Sequence, residues 1–476
     1  HGDITGFSIV GNYYAVTHES GTGSAPKYGV VSQLPVVGDL VNPLLNLSVP
    51  RSFPDQVSVG YYESFLSNSV TVELAHTDHA VVYQYTLPQR LRPKIVVDVS
   101  HVLPSYRGLG WGQGYAGGSF ETFSDRHYEG HGTYNNGWNL SPDWTIYFCG
   151  KFDQAPTGTR IFQGNGTVSS SYGNATSTAG KQRLGDHIED EIPGNATLLS
   201  LVASSNARWN AEVFSKITTS SSNATNLGLL YVNLYGMHLL SSNKTGENPK
   251  WNSTEPYYDD VFTIWDIFRC TTSLYPILQP KAYEEQIRSL IDIWRHEGYM
   301  PDGRSSNYNG RVQGVSNADN VLADAFVKGV RGAVNWTDGF AALQKDVEVQ
   351  PPNNYDPIAP EASTEEGRGA LPDWIRYGWT TPAFTRAVSQ AVEYSVNDFG
   401  LYQVSKTGLR IRRSILAGHG TGAIIGTLLP LLHLTTSWAS LSRVTPMGPS
   451  YRKIRSIVAS ATGPMLTIST RRMPTP

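Results

Sequence analysis

Residues Tyr257–Pro280 read YYDDVFTIWDIFRCTTSLYPILQP and pack three aspartates (Asp259, Asp260, Asp266), one arginine (Arg269) and six aromatics into two dozen positions. An acid inside an apolar run is costly to bury unless it is paired or bound to something. Asp266 and Arg269 stand three apart, each following an aromatic, Trp265 and Phe268. In a helix they share one face, because i and i+3 are neighbours. Two chemistries fit that pair. One is an internal salt bridge. The other is a sugar-binding cluster, in which an aromatic ring offers a flat apolar face while carboxylate and guanidinium hydrogen-bond hydroxyls.

With 476 residues the chain exceeds one small core, so two domains are expected. Only 16% of residues are charged, against 46 Gly and 26 Tyr, which describes a loop-rich, aromatic-rich globular protein. A net charge of −3 gives no case for nucleic acid as a partner. No membrane partner is expected either, because the longest apolar run, near Ile424–Leu434, is too short and interrupted to span a bilayer. Cys149 and Cys270, both in apolar flanks, fit one disulfide or two buried thiols. Asn-x-Ser/Thr acceptors occur at Asn46, Asn139, Asn165, Asn174, Asn195, Asn223, Asn243, Asn252 and Asn335. That density points to a secreted glycoprotein with each acceptor on the surface. The opening His1-Gly2-Asp3 carries no signal peptide and is read as a mature chain or a fragment.

Up to about Leu240 apolar residues alternate: Val70, Val72, Leu74; Val81, Tyr83, Tyr85, Leu87; Ile95, Val97, Val99; Ile146, Phe148. Such runs between Gly, Pro, Asn and Ser predict an antiparallel β-sandwich over residues 1–240. Gly164–Gly180, rich in Gly, Ser, Thr and Asn, reads as a surface loop. Residues 241–256 read as a linker. Beyond it the period becomes helical. Ile287, Leu290, Ile291 and Trp294 end at Gly298; Val321, Leu322, Ala325 and Phe326 end at Gly329; a third set runs from Phe384 to Phe399 after Pro382. Helices separated by polar loops predict a partial α-helical toroid over residues 257–407, giving an α+β fold of sandwich then toroid. From residue 399 to the end there are ten Lys or Arg and no Asp or Glu. Residues 408–476 are therefore read as an aberrant basic tail produced by a frameshift, mis-splicing or truncation, in preference to a genuine basic tail.

Four tracts in order resemble glycoside hydrolase family 92, the calcium-dependent, inverting, exo-acting α-mannosidases, in a fungal secreted form. They are THESGTGSAPKYGVVSQLP (17–35), YYDDVFTIWDIFR (257–269), GVSNADNVLADAFVKG (314–329) and VSQAVEYSVNDFGLYQVSK (388–406), within a resemblance over about residues 1–407. The family's β-sandwich followed by an (α/α)6 toroid agrees with the change of period. The resemblance implies mannose-containing glycans as substrate. It makes His18 and Glu19 pocket residues from the first domain and Asp266 and Arg269 hydrogen-bonding partners of sugar hydroxyls. Asp319, Glu393 and Asp398 are further candidates, although Asp319 also suits a helix N-terminus and Asp398 an ordinary polar helix position. Glu365 and Glu366, in EEGRG, read as solvated.

Inverting hydrolysis needs a general acid and a carboxylate base about 6.5–9.5 Å apart with water between them. In the family these, and the ligands of a calcium ion that binds the sugar 2- and 3-hydroxyls, lie in EGN-, GNEP- and GDED-like tracts. None of those tracts occurs here, so the resemblance implies Ca2+ while this sequence offers no ligands, acid or base for it. The expected function is thus an exo-α-mannosidase, acting on α-1,2-linked mannose, whose present chain is catalytically incomplete. The alternatives are a non-catalytic glycan-binding protein and, with least support, a sandwich-plus-toroid disaccharide phosphorylase.

Overall fold

The computed structural model describes residues 27–40, 49–88, 93–102, 111–123, 126–154, 156–163, 167–169, 171–172, 188, 190–239, 241–261, 264–310, 315–354 and 364–407. All of them belong to one compact unit. The basic tail, His18 and Glu19 lie outside the described residues.

The first half is antiparallel β structure. Strands β1 (Ser32–Val37) and β6 (Pro93–Asp98) form a ribbon with Ser32 opposite Asp98. Strands β2 (Gln56–Ser58), β3 (Tyr61–Phe65), β4 (Thr71–His76) and β5 (Val81–Thr86) form a four-stranded meander. Strands β7 (Gln113–Thr122), β8 (His127–Asn136) and β9 (Ser141–Lys151) form the second four-stranded sheet with β12 (Ser171–Tyr172) beyond β7. The alternation read in the sequence works as expected. Successive side chains in a strand point to opposite faces, and Tyr62, Val72 and Leu74 are buried on one face together with Leu66 and Val70.

Two expectations fail here. Within Gly164–Gly180, Thr167–Ser169 (β11) pairs with Ile161–Gln163 (β10), and β12 extends a sheet, so the stretch is not wholly loop. Residues 198–237, placed in the sandwich by the sequence, form helices α1 (Leu198–Glu212) and α2 (Ala224–Met237). Their Ser- and Asn-rich surfaces blur the helical period. Capping starts both: Thr197 and Ser200 form a reciprocal box, and the Asn223 side chain accepts from Asn226 N–H.

The second half is helical: α3 (Ile264–Ile267), α4 (Thr271–Leu278), α5 (Pro280–Glu297), α6 (Asn317–Val327), α7 (Trp336–Glu348), α8 (Leu371–Tyr377) and α9 (Ala387–Thr407). Proline at the first position of α5 and Gly298 after it, at φ 90°, delimit that helix. Tyr283, Ile287, Leu290 and Ile291 of α5 share one core with Val321, Leu322 and Phe326 of α6, Leu343 of α7 and Val404 of α9. The order predicted from the sequence, antiparallel β region then helices, is the order observed. Among the described residues no helix is long and apolar enough to cross a membrane.

A buried polar joint ties the β region to the helical one. Two short ribbons build its helical side: β13 (Ser242–Asn243) with β14 (Tyr258–Asp259), and β15 (Arg304–Ser305) with β16 (Tyr308–Asn309). The Tyr28 hydroxyl donates to Asp260 Oδ1 at 2.5 Å and accepts from Ser306 N–H at 3.0 Å. Lys244 Nζ bridges Asp259 Oδ2 at 3.0 Å and Asp260 Oδ2 at 2.8 Å. Arg304, fully buried, pairs with Glu297 at 2.6 Å. On the β side Lys27 Nζ donates to Asn136 O, Asn139 Oδ1 and Ser141 Oγ at 2.9, 2.8 and 2.7 Å. Burial lowers the Lys27 ammonium to about 7, with the charges of Asp259 and Asp260 acting in opposition. Asn139 spans the joint, donating to Ser305 O at 2.9 Å and Tyr308 O at 3.1 Å. It is completely buried, so its acceptor motif is not a surface one. The two cysteines are free; Cys149 is half-buried, with its thiol raised to about 11 by burial, and Cys270 is exposed rather than buried.

Candidate functional site

The three aspartates of the 257–280 stretch divide between two tasks. Asp259 and Asp260 precede α3 on or beside β14, fully buried in the joint, and their work is structural. Asp266, on the single turn of α3, is exposed and makes no ion pair with a described residue. It does not bridge to Arg269, as the internal salt-bridge reading required. Arg269 instead reaches across to α9, where its Nη2 meets Glu393 Oε1 at 2.5 Å. Its Nε donates to Trp265 O at 3.2 Å, and its guanidinium lies 4.8 Å from the centroid of the Phe268 ring. Half of the Arg269 side chain remains open to solvent (53%), while Glu393 is largely covered (17%). The second Glu393 oxygen is buried and has no hydrogen-bond partner among the described residues. The result is a half-exposed guanidinium held by Glu393 and lying by the Phe268 ring, with the exposed Asp266 three residues before it in the chain. Such a surface can hydrogen-bond vicinal hydroxyls and pack their ring against an apolar face. An apolar crevice lined by Tyr258, Val261, Ile264, Tyr275, Leu290 and Val321 lies nearby but gathers no charged groups.

Asp319 takes another position. It sits in the first turn of α6, is buried, and lies 3.5 Å from Arg368 Nη2. Arg368 is itself fully buried and donates to Asp398 Oδ1 of α9 at 2.7 Å; the other Asp398 oxygen accepts from Trp374 Nε1 at 2.9 Å. Asp346 of α7 faces the same cluster and accepts from Ser316 Oγ at 2.7 Å. Burial, and then the charge of Asp346, holds the Asp319 carboxyl well above the usual carboxylate range; burial also raises Asp346, against the Ser316 hydrogen bond. A proton shared between these two acids gives a partner to Asp319 oxygens that otherwise find no donor. Asp302 completes the group, accepting from Asn317 and Ala318 N–H at 2.8 Å each at the start of α6. So the helix-N-terminus role considered for Asp319 belongs to Asp302. Sequence reading missed Asp302, Asp346 and Arg368, which have no local signature. It also took Glu366 as solvated, whereas Glu366 is half-buried, accepts from Asn309 Nδ2 at 3.0 Å, and is raised by burial.

This cluster predicts a pH dependence. Burial pushes Asp302 up to about 7; the two backbone N–H bonds work against that shift and the charge of Asp346 works with it. A carboxyl raised in the folded chain binds its proton where the unfolded chain, at roughly pH 4, has released it. Its stabilising share is complete below the unfolded value and is lost as pH rises through the folded one. Asp319, Asp346 and Glu366 shift in the same direction. The urea midpoint is therefore expected to fall between about pH 5 and pH 7, and Asp302→Asn is expected to flatten that slope. A midpoint that rises over the interval would contradict the assignment.

Calcium needs about six to eight oxygen ligands. Among the described residues no three His, Cys, Asp or Glu side chains converge to hold a metal ion. The buried acids around Asp319 face a guanidinium and backbone N–H groups, which are donors and not a cage of oxygens. The described residues do not fit that ion.

Residues 1–220 match the glycosyl hydrolase family 92 N-terminal domain, and residues 185–410 match the glycosyl hydrolase family 92 catalytic domain. An uncharacterized secreted glycosidase of Arthroderma benhamiae is 26% identical over 447 residues, covering 83% of this chain and 52% of that protein. Among solved structures, a family 92 inverting mannosidase of Bacteroides thetaiotaomicron superposes with a TM-score of 0.64 at 18% identity, over 83% of this chain and 58% of that one. A family 92 alpha-mannosidase of the same organism, in complex with mannoimidazole, gives 0.65 at 19%, over 83% and 54%. The chain thus spans about half the length of the relatives it matches. With both characteristic domains matched in order over residues 1–410, the chain belongs to glycosyl hydrolase family 92.

Proposed function

We propose that the chain is part of a secreted, calcium-dependent, inverting exo-α-mannosidase, and that it supplies the wall that grips a terminal mannose without completing the hydrolytic machinery. The observation carrying this reading is the half-exposed Arg269 guanidinium fixed by Glu393 from a helix 124 positions away, with the exposed Asp266 three residues before it in the chain. Fixing a long side chain in advance removes rotamer entropy that binding would otherwise have to overcome. Asp266 and Arg269 are assigned to the sugar hydroxyls, and Glu393 to positioning Arg269. Asp319 supports the helices behind that wall from the interior. His18 and Glu19 are carried as further contacts on the strength of the family resemblance. Inversion requires two water-accessible carboxylates facing each other across the bond, and the sequence holds no Asp or Glu between residues 399 and 476 to add to those described. Of the acids with raised pKa, Asp302, Asp319 and Asp346 are buried in the cluster that contains Arg368, and Glu366 is half-buried against Asn309.

Calorimetry with α-1,2-linked mannobiose tests the binding half. Millimolar affinity is expected, weakened roughly tenfold or more by Arg269→Ala or Asp266→Asn, as each removes a charge-assisted hydrogen bond of about 1.5–3 kcal/mol. Absence of heat at millimolar ligand overturns it. An aryl α-mannoside tests the other half: no hydrolysis is expected with or without calcium, and turnover abolished by a chelator would show that the chain is catalytically complete.

A further inference from the structure

The nine acceptor motifs are not equivalent in the fold, and we infer that N-glycans are carried at Asn195, Asn223 and Asn252 and are excluded from Asn139. This rests on the secreted reading above. Asn195, Asn223 and Asn252 are exposed, and none of their amide nitrogens donates to a described residue. Asn223 uses only its oxygen, which caps α2 by accepting from Asn226 N–H at 3.1 Å. Asn243 and Asn335 are also exposed; the Asn243 oxygen accepts from Thr245 N–H and Oγ1–H at 3.1 and 2.6 Å, and the Asn335 amide donates to Asp338 Oδ2 at 3.1 Å. Asn46, Asn165 and Asn174 lie outside the described residues.

Transfer forms a bond from the Asn amide nitrogen to C1 of an oligosaccharide carried on a lipid diphosphate. The C1–O bond breaks, the lipid diphosphate departs with its electron pair, and the amide loses one proton. One N–H therefore remains on a modified asparagine. Asn223 gives up nothing by this, because its cap uses the oxygen. Asn139 needs both N–H groups, one for Ser305 O and one for Tyr308 O, and its oxygen for Lys27. Space forbids a sugar there as well. Asn139 has no exposed surface, and Gly310 lies so close to it and to the Trp138 ring that even an added methyl would collide. A chain modified at Asn139 cannot close the joint between the β8–β9 turn and the β15–β16 ribbon.

The test is to express residues 1–476 behind a cleavable leader in yeast, so that the route is imposed and the result reports on the acceptors, not on where the native chain resides. Secreted protein, and the protease-resistant part of the retained pool, are treated with peptide N-glycosidase in heavy-oxygen water and mapped by mass spectrometry. Expected is label at Asn195, Asn223 and Asn252 and none at Asn139. Label at Asn139 in folded monomer overturns the inference, as does an unlabelled site among the other three. Asn252→Gln, at an exposed residue that caps no helix, is expected to increase gel mobility by one glycan and leave the urea midpoint in place. Asn139→Gln is expected to leave mobility unchanged and lower the midpoint; the reverse pattern also overturns the assignment.

Discussion

Arg368→Met is expected to destabilise the helical region by roughly 3–5 kcal/mol at neutral pH, because it leaves buried acids without their cation. Arg368 is fully buried and is the partner of both Asp319 and Asp398, with Asp346 alongside. Methionine replaces the apolar stem but returns no charge. The loss is comparable to the whole stability of a marginal domain, about 5–15 kcal/mol. The deficit has a sign in pH. Burial holds Asp319 and Asp346 above the usual carboxylate range, and as they take up protons the unpaired charge diminishes, so the variant recovers part of its urea midpoint as pH falls. A variant as stable as the native chain at pH 7 would show that Arg368 does not neutralise this cluster.

Asp260→Ala is expected to cost a similar amount, roughly 3–5 kcal/mol, by a different route. It removes the acceptor of Tyr28 Oη and of Ser305 Oγ, at 2.5 and 3.0 Å, and one of two acids on Lys244. Asp260 also holds φ 58°, a left-handed conformation that Asp and Asn tolerate better than Ala. Asp260→Asn keeps the acceptor oxygen and the backbone preference while losing the charge, so its loss is expected to be the smaller. Near-ultraviolet circular dichroism and far-ultraviolet circular dichroism followed through the same urea titration are the check. For Asp260→Ala the two transitions are expected to separate, because the β region and the helices no longer unfold as one. Coincident transitions with an unchanged midpoint would remove the joint from the account of stability.

What could be read in the sequence follows how local each cause is. Val72 and Leu74, two apart, state their shared face directly, and Ile287, Leu290, Ile291 and Trp294 state theirs, with Gly298 marking the stop. Helices α1 and α2 went unread because few of their residues are buried: Leu198 and Leu201 in one, Leu234 in the other. Amphipathic pattern is the main signal of a helix in sequence, and helices packed along a thin edge give little of it. The candidate site divides the same way. Asp266 and Arg269 announce themselves by type and spacing. What anchors Arg269 is Glu393, and what neutralises Asp319 is Arg368, and no spacing rule connects such distant pairs. Asp259 and Asp260 were legible as costly acids, but their partners Tyr28, Lys244 and Arg304 come from three separate segments.

The Asn139 bond to Ser305 closes over 166 residues of chain. At about 5–20 residues per second of synthesis, Asn139 emerges roughly ten to thirty seconds before the backbone it will grip. On the secretory route proposed above, its motif is during that interval an acceptor chemically like the exposed ones. The joint between the β region and the helices is therefore contested in time: the same amide can be claimed early by a sugar or late by Ser305 and Tyr308, and only the second outcome yields a closed molecule. The yield of secreted protein should then rise when translation through residues 140–310 is made faster.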